Sequence, residues 1–207
     1  WMSSVYDVQK RFGRWDAILA EPAPPETLPI TTAIWRAHRA VAFAAKHEYE
    51  DAEAEYERFK EARDAIPEDK MSGSDATRRI LEVSDHFIRG EIALQRGQWE
   101  RAIAALEQAV EVEDSLSYGE PPQWLQPTRH TLGAVLLKAG RPADAEAVYL
   151  EDLERWPGNG WSLLGLSRSL RAQGKLDAAA AAEARYAEAW KGADRPVTSS
   201  CLCLPDA

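Results

Sequence analysis

A comb of small residues recurs along the chain in one order and at one spacing. Gly133 is followed by Gly140, Ala145, Tyr149 and Pro157. The same comb fits Gly90, Gly97, Ala102 and Leu106. It fits Ser167, Gly174 and Ala179, with Glu183 in the aromatic position. It fits Ala40, His47, Ala52 and Tyr56, with His47 in place of the glycine, and more loosely Tyr6, Gly13 and Ile18. The leading positions 6, 40, 90, 133 and 167 lie 34, 50, 43 and 34 residues apart. Two of these periods are equal and two are lengthened, by 16 and by 9. Such a period signals a stack of small units, none of which can bury its apolar face alone.

Each tooth of the comb has a physical task. A small residue in mid-helix (Gly90, Gly133) lets two helices approach closely. The glycine seven residues on (Gly97, Gly140, Gly174) ends that helix, since only glycine takes the left-handed conformation without strain. The alanine (Ala102, Ala145, Ala179) lets the returning helix pack near its start. The aromatic or leucine (Tyr56, Leu106, Tyr149) closes the core of the pair, and Pro157 stops the second helix. This predicts an all-α fold, an α-solenoid of antiparallel helix pairs.

The segment Arg129-x2-Leu132-Gly133-x2-Leu136, with Ala145-x3-Tyr149 and Pro157, resembles the tetratricopeptide repeat family. Arg129 stands where that family has Trp, and Leu136 where it has Tyr. GQWERAIAALEQAV, residues 97–110, resembles the second half of such a repeat. The resemblance covers most of residues 5–190. It implies a right-handed superhelix whose concave inner face docks peptides or proteins, and a module that is seldom catalytic.

The comb places a partial repeat with a Pro-rich connection at 1–32 and repeats at 33–66, 83–116, 126–159 and 160–192. A linker or helix extension falls at 67–82, a rigid insertion at 117–125 and a tail at 193–207. The insertion belongs to SYGEPPQWLQPTR, residues 117–129. Pro121 and Pro122 stiffen it toward polyproline II, and Pro127 suits the first turn of the next helix. Trp124 is too large to leave in water. It either staples the insertion down or forms one wall of a binding site. On both readings it is expected to pack against the following repeat, near Arg129 or His130, with Glu120 at the groove mouth.

By the family's geometry the inner wall comes from the first helix of each pair. The candidate groove residues are then Phe87 and Glu91, His130 and Lys138, and Trp161, Arg168 and Arg171, with Glu120 and Trp124 from the insertion. Lys138, Arg168 and Arg171 form a basic cluster. Several tetratricopeptide domains clamp a peptide carboxylate with such a cluster, although the asparagines that accompany it there are not evident here. A bland alternative is that these are solvated helix charges, each worth little.

Composition excludes other classes. Lys plus Arg number 25 against 34 Asp plus Glu, a net charge of −9, which repels phosphate backbones and anionic membranes. No apolar run approaches the roughly 20 residues that span a bilayer. The chain is expected to be soluble, the cytoplasm being slightly favoured. It opens on Trp1, which reads as the C-terminal part of a longer protein. No G-x-S-x-G, P-loop, G-x-G-x-x-G or H-E-x-x-H occurs, and His38, His47, His86 and His130 have no metal spacing. A non-catalytic module without cofactor is therefore expected. Its partner is a protein or peptide segment with a carboxylate or acidic group. Eight tryptophans leave self-association open. The alternative rests on Cys201 and Cys203, the only cysteines: a C-x-C pair can ligate Cu or Zn given further ligands, or form a disulfide.

Overall fold

The computed structural model describes residues 4–204. The chain divides into two compact units, Trp1–Gln126 and Pro127–Ala207. The first holds α1 (Ser4–Arg11), α2 (Trp15–Ala20), α3 (Pro29–Ala45), α4 (Tyr49–Asp64), a hairpin β1 (Met71–Ser72) and β2 (Asp75–Ala76), α5 (Thr77–Gln95) and α6 (Trp99–Asp114). The second holds α7 (Thr128–Lys138), α8 (Pro142–Arg155), α9 (Gly160–Ala172) and α10 (Leu176–Ala189). Consecutive helices pack as pairs: α3 on α4 and α5 on α6 in the first unit, α7 on α8 and α9 on α10 in the second.

One termination motif ends every first helix. Gly13, His47, Gly97, Gly140 and Gly174 take positive φ, from 61° to 76°. In each case two amides turn back to cap the helix. Gly140 N–H donates to Leu137 O at 3.1 Å and Arg141 N–H to Leu136 O at 2.9 Å. Gly97 and Gln98 do the same to Leu94 and Ala93, and Gly174 and Lys175 to Arg171 and Leu170. This is the Schellman pattern, which satisfies carbonyls a helix end would otherwise leave open. His47 adopts it without being glycine, at φ 63°, where histidine is one of the side chains enriched. The second helices stop differently. At the end of α8, Trp156 sits before Pro157 with ψ 72°, pushed out of the helical region by the proline ring.

The mid-helix glycines are close-approach points. A Cβ on Gly90 would lie 2.8 Å from Leu106 Cγ, and one on Gly133 would lie 2.3 Å from Tyr149 Cζ. These are the comb's own pairs. Gly165, which the comb does not contain, also backs onto Tyr149: its Cβ would lie 2.1 Å from Cζ. The Tyr149 ring therefore fills a slot between α7 and α9, and it is completely buried.

The two excess segments of unit 1 pack on each other. The longer one forms the hairpin, with Ser72 paired to Asp75 around a two-residue turn whose first member, Gly73, has φ 64°. From the shorter one, Ser117 donates through N and Oγ to the Asp75 carboxylate, each at 3.0 Å. Gln123 occupies the space where Gly73 would carry a side chain. Trp124 packs backward, contrary to expectation: onto Val83 of α5 and Ala109 and Val112 of α6, with its ring 6.0 Å from Phe87. The hairpin explains the direction, because anchoring at Ser117 and Gln123 leaves Trp124 over the preceding pair. Its Nε1–H has no hydrogen-bond partner among the described residues, which reduces the gain from burying the ring.

Gly133→Ala forces a methyl group into a rigid buried ring. Although Ala is the better helix former by about 1 kcal/mol, the clash makes a net loss of about 2 kcal/mol the expected outcome. Gly140→Ala meets no atom and carries only backbone strain, about 1 kcal/mol. Urea unfolding followed by circular dichroism ranks the two; a Gly133→Ala chain as stable as the parent would show that the slot is loose.

Candidate functional site

In unit 1 the first-helix face is already covered. Phe87 and Glu91 lie on α5, as the sequence places them, but α1 crosses this face. Lys10 Nζ sits 4.3 Å from the centre of the Phe87 ring and 5.2 Å from that of Trp124, a cation shared by two aromatic rings. The Tyr6 ring stands 5.8 Å from His38 of α3, whose Nε2 lies 3.1 Å from Asp7 Oδ1. Gln126 donates to the Asp7 carbonyl. Lys10, His38, Phe87 and Trp124 thus line a small recess.

Glu91 is only 1% exposed. Burial pushes its carboxyl up to about 7, against the opposing influence of Lys10 and a hydrogen bond with Gln95. Burial likewise lowers the Lys10 ammonium, with Asp7 and Glu91 pulling it back. Glu120 is exposed and accepts a hydrogen bond from Tyr118 within the insertion.

In unit 2 the sequence-predicted residues separate into two groups. His130 turns into the helix layer. Its Nε2 lies 3.2 Å from Asp152 Oδ2 of α8 and 3.0 Å from Asn159 Nδ2, serving the carboxylate when protonated and the amide when not. Ser162 donates to the same Asp152 oxygen at 2.5 Å, and Asn159 caps α9 by accepting from Trp161 N at 3.0 Å. A serine, a histidine and an aspartate are therefore together, but in the wrong order for nucleophilic catalysis. The hydroxyl addresses the acid and not the base, and all three are buried. The network ties α7, α8 and α9.

Trp161 is half-buried and meets Trp190 edge-on at 5.4 Å, and Tyr186 stacks on Trp190 at 5.6 Å. The basic candidates sit on α7 and α9, which pack together. Lys138 is the exposed last residue of α7. Arg168 is half-buried in α9, and Arg171 in its last turn pairs with Glu183 of α10 at 2.6 Å.

The tail carries the two cysteines and, beside them, a second feature. Cys201 and Cys203 are joined by a disulfide. Just before them Ser200, 2% exposed, places its Oγ 2.6 Å from the Tyr149 hydroxyl and donates to the His130 carbonyl at 2.8 Å. The sequence signal for this seat was Gly165, a second glycine facing Tyr149.

Glu91 makes stability depend on pH. A carboxyl raised above its unfolded value holds a proton in the folded chain that the unfolded chain releases. Its stabilising contribution is complete below about pH 4.5 and is lost as pH rises through about 7. Glu91→Gln is expected to gain on the parent steadily across this window and to hold a constant advantage above about pH 8. Parallel unfolding curves for the two chains from pH 5 to 8 would contradict it.

Comparisons with known proteins agree with this architecture. Residues 86–119 and 130–194 match the model of the tetratricopeptide repeat family. No curated protein sequence matches the chain. Among solved structures, the crystal structure of MamA protein superposes with a TM-score of 0.53 at 15% identity, covering 91% of this chain and 92% of that one. At that identity the likeness speaks for the fold alone. No helix among the described residues is long and apolar enough to cross a membrane. Repeated helix pairs, one shared termination motif and the family match converge: the chain has an α-solenoid fold and carries tetratricopeptide repeats over residues 86–119 and 130–194, repeats of the kind that serve in protein-interaction scaffolds.

Proposed function

We infer that the chain is a non-catalytic scaffold that docks a peptide or protein segment on the face of its first helices, with α7 and α9 carrying the site. The observation that supports this most is the tail itself. A segment with neither helix nor strand already lies against α7, bonded through Ser200 to a backbone carbonyl of that helix and to Tyr149. A surface that holds one such segment has the chemistry to hold another.

The basic residues favour an acidic partner. The Arg171–Glu183 pair is more than half exposed on both sides, so it is worth under about 1 kcal/mol. Arg171 can exchange Glu183 for a partner carboxylate at little loss, and Lys138 and Arg168 lie on the same two helices. Arg168→Glu with Arg171→Glu is expected to lower capture of immobilised acidic C-terminal peptides at least tenfold while the far-UV circular dichroism stays helical. Unchanged capture would remove these arginines from the site.

The disulfide supports a second reading, a redox-responsive accessory protein. While the sulfurs are bonded to each other neither offers a thiolate, so this state favours a redox couple over a Cu or Zn site. Protein purified without reductant should show no titratable thiol and gain two after treatment with a dithiol, with no bound metal before treatment. Two free thiols with stoichiometric Cu or Zn at the outset would reverse the preference.

A further inference from the structure

The Tyr149 phenol has a constrained environment. Its ring is clamped by Gly133 of α7 and Gly165 of α9, so it cannot swing to seek a partner. It is fully buried, and burial raises its ionisation well above the ordinary phenol value, so it is a neutral hydroxyl at any physiological pH. A buried hydroxyl needs a hydrogen bond. Ser200 supplies it, and the direction of the chain of bonds follows from the donors available. The His130 carbonyl can only accept, so the Ser200 hydroxyl donates there. Tyr149 therefore donates to Ser200.

The seat asks for one side chain that accepts from a phenol and donates to a carbonyl within one small volume. Serine or threonine does this. Alanine leaves the phenol unsatisfied, and a carboxylate cannot donate to His130. Residues 191–196 are exposed, and Val197, Ser199 and Ser200 are the buried ones before the disulfide. Ser199 Oγ accepts from Cys201 N at 3.2 Å, which folds the chain just past the seat.

Resting on the reading of the α7 and α9 face as the docking site, we propose that residues 197–204 are its built-in occupant, held through the Ser200 hydroxyl between Tyr149 and His130, and that a docking segment displaces this tail by presenting a serine or threonine to the same seat. The scaffold is thus closed by its own tail, and its partner carries a hydroxyl residue among small neighbours.

The probe is a fluorescein-labelled peptide of residues 195–204, oxidised to the disulfide, titrated into the full chain. The parent, its seat occupied, is expected to bind it weakly. Ser200→Ala in the chain loosens the resident tail and should bind the probe at least tenfold tighter, while Ser200→Thr keeps the parent's weak binding. A probe with alanine at the position of Ser200 should lose the gain. Hydrogen exchange gives an independent reading: amides of 197–204 should exchange faster in Ser200→Ala and those of α7 and α9 should not. Equal probe affinity in parent and Ser200→Ala overturns the proposal, as does a gain shared by a scrambled probe. So does exchange that accelerates throughout unit 2, which would make Ser200 a part of the core. Failure here with arginine-dependent peptide capture intact would sink the tail and leave the docking reading. Capture indifferent to Arg168 and Arg171 with the probe results intact would remove those arginines from the site and leave the tail's seat standing.

Discussion

A phenol ring in a slot walled by two glycines sets the arrangement of the second unit. Tyr149 of α8 can enter between α7 and α9 only because Gly133 and Gly165 present no side chain to it. The aromatic ring buries a large apolar surface while its hydroxyl emerges on the far side of the layer, where a polar partner is required. One side chain therefore does two things: it closes the repeat core, and it creates a polar demand on the face the first helices present. In the first unit Leu106 meets Gly90 in the equivalent place and makes no such demand. The difference between a leucine and a tyrosine at one comb position separates a packing contact from a recognition element.

The buried polar groups of unit 2 follow from the same economy of space. Asp152 receives Ser162 and faces His130, and Asn159 serves both the start of α9 and the His130 ring. Each of these four groups has a partner within the layer, so the network fixes the register of three helices and not merely their contact. Glu91 in unit 1 is the contrast. One of its oxygens lacks a hydrogen-bond partner among the described residues, and burial makes the carboxyl hold its proton to higher pH.

The comb made the helix pairs legible because its teeth are backbone and volume constraints. Positive φ at Gly97, Gly140 and Gly174 admits few residue types, and the close approaches at Gly90 and Gly133 admit one. His47 was placed correctly at a helix end by the same logic despite its side chain. What the sequence left open depends on which of several chemically adequate neighbours a side chain meets. Trp124 needed an apolar surface, and the comb offered one on either side. The choice went to Val83, Phe87 and Ala109 because Asp75 and Gly73 hold the insertion from behind, in a hairpin too short to show a strand pattern. His130 occupied a groove-facing position by register, but register does not say that Asp152 lies within reach on the next helix. Ser200 carried no signal of its own; only Gly165, a small residue outside the comb, marked the seat.

Each unit, taken by itself, carries one of the chain's own segments on its first helices: α1 with Lys10 and Asp7 in the first, the tail with Ser200 in the second. Such a segment covers part of the first-helix face that would otherwise stand bare, which limits non-specific association there. The covering segment also sets a threshold. If the seat is open for a fraction of the time, a partner's apparent affinity falls by that fraction, so only segments that reproduce the covering contacts compete well. Hydrogen-bonded seats impose this filter more sharply than apolar ones, because a ligand that lacks the hydroxyl leaves Tyr149 buried and unpaired, a penalty of about 1–3 kcal/mol. An apolar occupant of the right volume would fill the same space and still fail. The selectivity of the second unit would then reside less in the charges around the face than in one phenol that two glycines prevent from turning away.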